Sequence, residues 1–175
     1  MYQFCFMTPS KHQKINIIIK PLKNEDYAVM AGIINSFAGQ GLMLPKTVKQ
    51  LKSLAKYIVA KENKKIIGGV GLKRWSNNLV ELVSLAILPR YHGRGLGSLL
   101  INKAMTQAKK MGYKTIFTLT LRPSIFEKLG MNRAAIKSFP QKIWGDCKNC
   151  PKNAKGPDDA KCDEIALVKN FDENN

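Results

Sequence analysis

Acidic residues are scarce in this chain. Twelve Asp and Glu stand against 29 Lys and Arg, a formal net charge of +17 over 175 residues. Long apolar runs are lacking too. Stretches such as Leu85–Leu88 fall far short of the ~20 residues that a membrane-spanning helix needs. Met1–Lys14 has no basic segment leading into an apolar one, so no secretory signal is expected and a cytoplasmic location is. Arginine is the rarer base, found only at 74, 90, 94, 122 and 133. Readers of nucleic acid lean on arginine forks for base and phosphate contacts, and the lysines here are dispersed. A solvated lysine-rich surface is therefore favoured over a nucleic-acid interface. Apolar residues make up 45% and charged residues 23%, which excludes disorder for the bulk of the chain. The length suits one domain, 1–175, large enough to bury a core without disulfide or metal staples.

The placing of the few acids is informative. Between Glu62 and Glu127 the only one is Glu81, while residues 64–126 carry eleven Lys or Arg, a local net charge of +10. The middle of the chain is expected to face an anionic ligand, with one carboxylate left inside it.

Lys14–Lys20 is β-branched and stops at Pro21, so it reads as a first strand. Asn24 offers an N-cap, with Glu25 and Asp26 in the first turn, and Val29, Met30, Ile33, Ile34 and Phe37 keep helical spacing up to Gly39. Thr47-Val48-Lys49-Gln50 has the form of a capping box opening a second helix. Tyr57–Ala60 and Lys65–Leu72 flank Glu62-Asn63-Lys64 as a hairpin. Leu79–Leu88 is a long apolar strand closed by Pro89. A helix then runs to Met111 with Leu96, Leu99, Leu100, Ala104, Ala108 and Met111 on one stripe, and Gly112 ends it. Thr115–Leu121 is a strand, Ser124–Leu129 a short helix, and Glu164–Lys169 a last strand. The order predicts an α/β (α+β) domain, a mixed sheet with helices on its faces. Residues 145–163 read as a surface excursion, and 1–13 and 170–175 as frayed ends.

Arg90-Tyr91-His92-Gly93-Arg94-Gly95-Leu96-Gly97 lies between a strand and a helix. Glycines at alternate positions permit a tight turn whose backbone N–H groups converge, and the helix start adds unpaired N–H groups and its positive dipole end. Together these make a phosphate cradle, with Arg90 and Arg94 as added charge. A nucleotide P-loop needs Gly-Lys-Ser/Thr, which is absent. The dinucleotide fingerprint needs wider glycine spacing and an acid about twenty residues on, and no acid follows here until Glu127.

Arg90-Tyr91-His92-Gly93-Arg94-Gly95 resembles the pyrophosphate loop of the acyl-CoA N-acyltransferases of the GNAT superfamily, Arg/Gln-x-x-Gly-x-Gly/Ala, in register and in strand-to-helix setting. The resemblance implies a mostly antiparallel mixed sheet with helices on both faces, and acetyl-CoA as cosubstrate. It implies that the backbone of His92, Gly93, Arg94, Gly95, Leu96, Gly97 and Ser98 binds the pyrophosphate. It also implies that the main chain of Leu85, Ala86, Ile87 and Leu88 pairs with the pantetheine arm.

Acetylating an amine requires a neutral nitrogen, so a base must take its proton. Glu81 is the acid of the central window, and Glu81-Leu82-Val83-Ser84-Leu85-Ala86-Ile87 resembles GNAT strands that carry a glutamate there. Burial among Leu79, Val80 and Leu82 would raise its proton affinity. The competing reading is a strand-end carboxylate paired with Lys73 or Arg74. Many relatives place a tyrosine in the helix after the next strand as the acid for the leaving thiolate. Phe126-Glu127-Lys128-Leu129-Gly130 lacks that hydroxyl, leaving Thr120 and Ser124 as candidate donors, or a thiolate that leaves unassisted.

Gly41-Leu42-Met43-Leu44-Pro45, Glu81–Gly97 and Phe139-Pro140-Gln141-Lys142-Ile143-Trp144, running into Asp146-Cys147-x-x-Cys150-Pro151 and Cys162-Asp163-Glu164, resemble a short form of the bacterial N-acetylglutamate synthase family. That resemblance implies acetylation of the α-amine of L-glutamate, the opening step of arginine biosynthesis. The 175 residues leave no room for the amino-acid-kinase-like domain that senses arginine in longer members, so feedback control is not expected. An anionic amino acid is the expected partner, its carboxylates gripped by Arg74, Arg122 and Lys142. A homodimer is left open by the sequence.

Cys147, Cys150 and Cys162 form a C-x2-C-x11-C array. Structural zinc wants four ligands, and His12, Cys5 or an acid would have to complete three. Clustered thiols are favoured over zinc, and disulfides are disfavoured in the cytoplasm. Two further readings compete with glutamate acetylation. One keeps the chemistry but changes the acceptor to another small amine or a protein N-terminus, cationic acceptors being repelled by the central charge. The other is a non-catalytic CoA-binding or nucleic-acid-binding domain.

Overall fold

The computed structural model describes residues 17–150 and 162–171. The strands are β1 (Ile17–Pro21), β2 (Lys56–Glu62), β3 (Lys65–Arg74), β4 (Leu79–Ile87), β5 (Thr115–Thr120), β6 (Asn132–Ala134) and β7 (Ile165–Asn170). They form one sheet in the order β1-β2-β3-β4-β5-β7-β6. Every pairing is antiparallel except the parallel pair β4 and β5. The helices are α1 (Tyr27–Ala38), α2 (Val48–Lys52), α3 (Leu96–Lys110), α4 (Pro123–Glu127) and α5 (Pro140–Gly145). No helix among the described residues is long and apolar enough to cross a membrane.

The central strands are covered on both faces. Along β2, Tyr57 and Val59 pack with Met30, Ile34 and Phe37 of α1, while Ile58 and Ala60 pack with Leu100, Ile101 and Ala104 of α3. Side chains alternate across a strand, so a strand sandwiched between two helices is apolar at consecutive positions. That is why Tyr57–Ala60 shows no polar alternation.

The capping box at Thr47 forms as its spacing predicts. Gln50 N–H donates to Thr47 Oγ1 at 3.1 Å and Thr47 N–H to Gln50 Oε1 at 2.8 Å. The expected first helix starts later than Asn24: Asn24–Asp26 is a 3-10 turn, and Asp26 turns inward to a buried ion pair with Lys61 at 2.6 Å. On α3 the expected stripe is displaced. Leu99 is 52% exposed and Met111 38% exposed, while Ile101 and Met105 are buried beside Leu100 and Ala104. β6 and α5 were not expected. β6 is three residues long, too short to show any periodicity. α5 opens on Pro140 after Phe139, whose ring stacks on Phe117 with centroids 4.1 Å apart. Fraying does not begin at 170, because Asn170 pairs with Thr115 and Phe171 N–H donates to Lys114 O at 2.8 Å. Residues 1–16, 151–161 and 172–175, with Cys5, His12, the start of the first strand and most of the excursion, lie outside the described residues.

Candidate active site

β4 and β5 part company inside the sheet. They are in register only at Leu79–Glu81 against Thr115–Phe117. Thr118 Oγ1 then donates to Leu82 O at 2.9 Å across the start of the gap. From there to Ile87, the edge of β4 that faces β5 has no strand beside it among the described residues. The same stretch carries a β-bulge. Val83–Ala86 on β4 opposes Gly69–Gly71 on β3 with one residue in excess, and Ser84 takes φ +52°. A non-glycine residue in that conformation is uncommon and marks a bend that the surroundings hold in place.

Beyond β4 the chain makes a short turn, Pro89–Tyr91, and reaches the glycines. Gly93 and Gly95 have φ of +72° and +75°, the left-handed region that glycine occupies without strain. Among the described residues beyond their chain neighbours, no heavy atom lies within 4 Å of where a Cβ would stand on either. The first bond of α3 runs from Leu99 N–H to Gly95 O at 3.1 Å. The N–H groups of Leu96, Gly97 and Ser98 precede it and have no place in the helical ladder. Gly97 also lets α3 approach α4, since a Cβ there would meet Ile125 Cδ1 at 3.0 Å. The His92 ring Nε2 lies 2.7 Å from the Ile87 carbonyl oxygen; a carbonyl only accepts, so Nε2 carries the proton.

The gap and the loop open into one cavity of about 990 Å³, at the upper end of small-molecule sites. Leu85, Ala86, Ile87, His92, Gly93, Gly95, Leu96, Gly97 and Ser98 line it. Leu88, Arg90 and Arg94 do not. Leu88 N–H is committed to Ile67 O at 2.9 Å, and the two guanidinium groups lie 5.0 and 5.8 Å from the centroid of the Tyr91 ring. Thr120 lines the cavity, its Oγ1 accepting from Arg122 N–H at 3.1 Å, whereas Ser124 is exposed and lies off it.

At the other end, Glu81 is buried to 2% exposure. Trp75 Nε1–H donates to Glu81 Oε2 at 2.8 Å, and Lys142 Nζ sits 2.8 Å from Glu81 Oε1. Lys142 also reaches Asp146 at 2.9 Å, and Lys73 reaches the same carboxylate at 2.6 Å. Neither Lys73 nor Arg74 is the partner of Glu81, because Lys73 goes to Asp146 and Arg74 to the Asn77 side-chain oxygen. Trp75 is clasped by α5: a Cβ on Gly145 would stand 2.8 Å from its ring. Burial opposes the charge on Lys142, but Glu81 and Asp146 outweigh it and hold the ammonium's pKa above the ordinary lysine value. Burial likewise opposes charge on Asp146, and Lys73 and Lys142 pull its carboxyl below the usual range. Arg74 and Arg122 are exposed at the cavity wall, so of the three expected acceptor cations only Lys142 lies deep, and it is already paired.

One lining residue escaped the sequence reading. Lys46 is half-buried at this end, and burial pushes its pKa down. Asn35 of α1 fixes its backbone on both sides, accepting from Lys46 N–H at 2.9 Å and donating to Lys46 O at 3.1 Å. Its only sequence signal was its place directly after Gly41–Pro45.

The thiols of Cys147, Cys150 and Cys162 are half-buried, and Cys150 and Cys162 line the cavity. Burial pushes Cys147 and Cys162 up. Among the described residues no three His, Cys, Asp or Glu are grouped as a metal site would need.

Residues 34–131 match the acetyltransferase (GNAT) family. The chain belongs to that family. This GNAT acetyltransferase is 34% identical to an uncharacterized N-acetyltransferase of Chlorobaculum tepidum, over 82% of this chain and 90% of that one. It is 23% identical to an amino-acid acetyltransferase of Mannheimia succiniciproducens, over 67% of this chain but 27% of the relative. The chain thus spans about a quarter of the length of that amino-acid acetyltransferase. Among solved structures, the N-acetylglutamate synthase of Neisseria gonorrhoeae complexed with coenzyme A and N-acetyl-glutamate shares the fold. The TM-score is 0.75 at 19% identity, covering 90% of this chain and 36% of that one.

Proposed function

We propose that this acetyltransferase moves the acetyl group of acetyl-CoA to the α-amine of L-glutamate. One observation carries the reading: a single cavity runs from the glycine loop and the bare edge of β4 to a chamber rich in cations. The first half suits acetyl-CoA. The N–H groups in the first turn of α3 can receive a pyrophosphate, as helix starts receive phosphates generally. The unpaired edge of β4 can bond an amide-bearing arm as a neighbouring strand would. The second half suits an anion. Lys46, Lys73, Arg74, Arg122 and Lys142 line it against Glu81, Asp146 and Glu164. The Neisseria complex with N-acetyl-glutamate supports glutamate as that anion.

In this reading the amine nitrogen attacks the thioester carbonyl, a C–N bond forms and the C–S bond breaks. Glu81 receives the amine proton, its carboxylate held in place by Lys142 and Trp75. Thr120 donates a hydrogen bond to the departing thiolate, which leaves as the anion and is protonated by water, since thiols are far more acidic than alcohols. Ser124, which lies off the cavity, takes no part.

A thiol-release assay with acetyl-CoA across the twenty amino acids tests the reading. L-glutamate should be turned over fastest and should exceed L-glutamine clearly, because a neutral amide leaves a cation unanswered. Equal turnover of the two, or none of either, would overturn glutamate as the acceptor.

A further inference from the structure

We infer that the His92 side chain is a positioning residue, which holds the glycine loop in register with the bare edge of β4. The inference rests on acetyl-CoA lying along both, as proposed above. The peptide unit joining Ile87 to Leu88 is trans, so its N–H and C=O point opposite ways. Its N–H goes to Ile67 O on β3 at 2.9 Å. The Ile87 carbonyl therefore points away from β3, to the side that β5 leaves open. There the His92 ring takes it, with Nε2 at 2.7 Å. The imidazole thus closes the bare edge at the end nearest the loop, and its bond spans the turn Pro89–Tyr91. The same ring lies nearly parallel to that of Phe37 on α1, centroids 6.4 Å apart and planes 20° apart. Tyr91, one residue earlier, is buried and donates its hydroxyl to Glu62 Oε2 at 2.5 Å, at the end of β2. Gly93 and Gly95 carry no side chain to anchor. Tyr91 fastens the loop to the β2–β3 hairpin, and His92 fastens it to β4.

Acetyl-CoA is two ligands on one chain: a nucleotide with its pyrophosphate, and an amide-bearing arm that ends in the thioester. Either half alone can follow its own part of the site. The whole molecule binds well only when the two parts stand at the separation its covalent length demands. The gain from joining the halves shrinks if that separation wanders. His92 fixes it, by tying the loop to the carbonyl where the open edge ends. The Nε2–H is spent on Ile87, so the ring acts through the backbone it joins.

The test titrates wild type, His92→Phe and His92→Gln calorimetrically with acetyl-CoA and with 3′-phospho-ADP, the nucleotide half of the cosubstrate. His92→Phe keeps a flat ring beside Phe37 and removes the donor. It should weaken acetyl-CoA by about 3–10-fold, the usual worth of a neutral hydrogen bond, and 3′-phospho-ADP by less than about 2-fold. His92→Gln sets an amide N–H where Nε2–H stood and should bind both ligands like the wild type. His92 is exposed, so both variants should fold, and their melting temperatures check it. Unchanged acetyl-CoA affinity in His92→Phe would overturn the inference. So would an equal loss with both ligands, which marks a direct contact with the phosphates, or a His92→Gln protein no better than His92→Phe. Gly95→Asp, run alongside, separates this failure from that of the cosubstrate site. If it abolishes acetyl-CoA binding while His92→Phe does nothing, only the role of His92 falls; if it binds like the wild type, the site falls and the inference with it.

Discussion

The Tyr57 hydroxyl on β2 donates to the Ser84 carbonyl on β4 at 2.8 Å, reaching over the strand between them. It can do so because β3 is glycine beneath the ring: a Cβ on Gly69 would stand 2.7 Å from Tyr57 Cε1, and one on Gly71 3.0 Å from the ring. Burial pushes the phenol's pKa up, so the hydroxyl keeps its proton. The bond ties down the residue with positive φ at the bulge, beside the bare edge of β4.

Tyr57→Phe should therefore lower stability by about 1 kcal/mol, the net worth of one such bond, or roughly 2–4 °C in melting temperature for a chain of this length. Acetyl-CoA affinity should fall as well, since the bulge shapes the edge the cosubstrate would use. Gly69→Ala should destabilise by more, about 1–3 kcal/mol, through overpacking against the ring and the Ile58 carbonyl. Thermal melts of both variants check the pair, and a Tyr57→Phe protein that melts and binds like the wild type would show that the bulge holds itself.

Glu81→Gln keeps the shape and the Trp75 contact of Glu81 but removes the proposed base. Turnover should fall by about 10²–10⁴-fold, with acetyl-CoA affinity little changed, because the glycine loop lies at the other end of the cavity. A purely structural ion pair with Lys142 would give the opposite signature, a lower melting temperature and near-normal turnover per folded molecule. Rate and melting temperature measured on the same preparation separate the two.

Gly95→Asp should abolish acetyl-CoA binding. The space around Gly95 is open, so the obstacle is the left-handed backbone, which aspartate tolerates at modest strain, together with a negative charge set where a pyrophosphate would arrive. The fold should survive, and calorimetric titration with acetyl-CoA reads the loss. Unaltered affinity would remove the loop from the cosubstrate site.

Acid should loosen α5 first. Asp146 has its folded pKa below the unfolded value, so its ion pairs with Lys73 and Lys142 contribute fully above the ordinary carboxyl value of 3.8 and are lost as pH falls below it. Lys142 behaves in the reverse sense: its raised pKa adds stability below the ordinary lysine value of 10.5, which is lost as pH rises beyond that. Melting temperature followed from pH 7 down to pH 2 should drop less steeply in Asp146→Asn than in the wild type. Parallel curves would mean that the carboxylate adds nothing to the fold.

The half of the cavity proposed for acetyl-CoA was legible as a structure because its parts are neighbours in the chain. Strand, turn, glycines and helix start all fall between Leu79 and Ser98, and short-range spacing describes them. The acceptor half was not. Glu81 meets Lys142 from 61 residues further on, and no periodicity links the two. Lys73 does stand opposite Glu81 in the β3–β4 register, which makes it the natural partner, yet its ammonium lies over the Trp75 ring and turns to Asp146. Lys46 looked like one of many surface lysines, and only the packing of α1 beside it makes it otherwise. On α3 the apolar spacing includes Leu99 and Met111, because apolar character alone cannot say which of two overlapping faces meets the sheet.

The three residue pairs that join β4 to β5, with the single hydroxyl bond from Thr118, make the sheet a jointed object. One wing is β1 to β4; the other is β5, β7 and β6. The ladders β1–β2, β2–β3, β3–β4 and β5–β7 are longer, while the joint is short and sits at one end of the cleft. The width of the cleft is therefore governed by a few amides at its base, and a molecule bonded along β4 while touching β5 would brace the wings against each other. Occupancy should be felt as stiffness far from the bound atoms: amide exchange should slow in β5 and β7 together, and least in β2, which the joint does not serve.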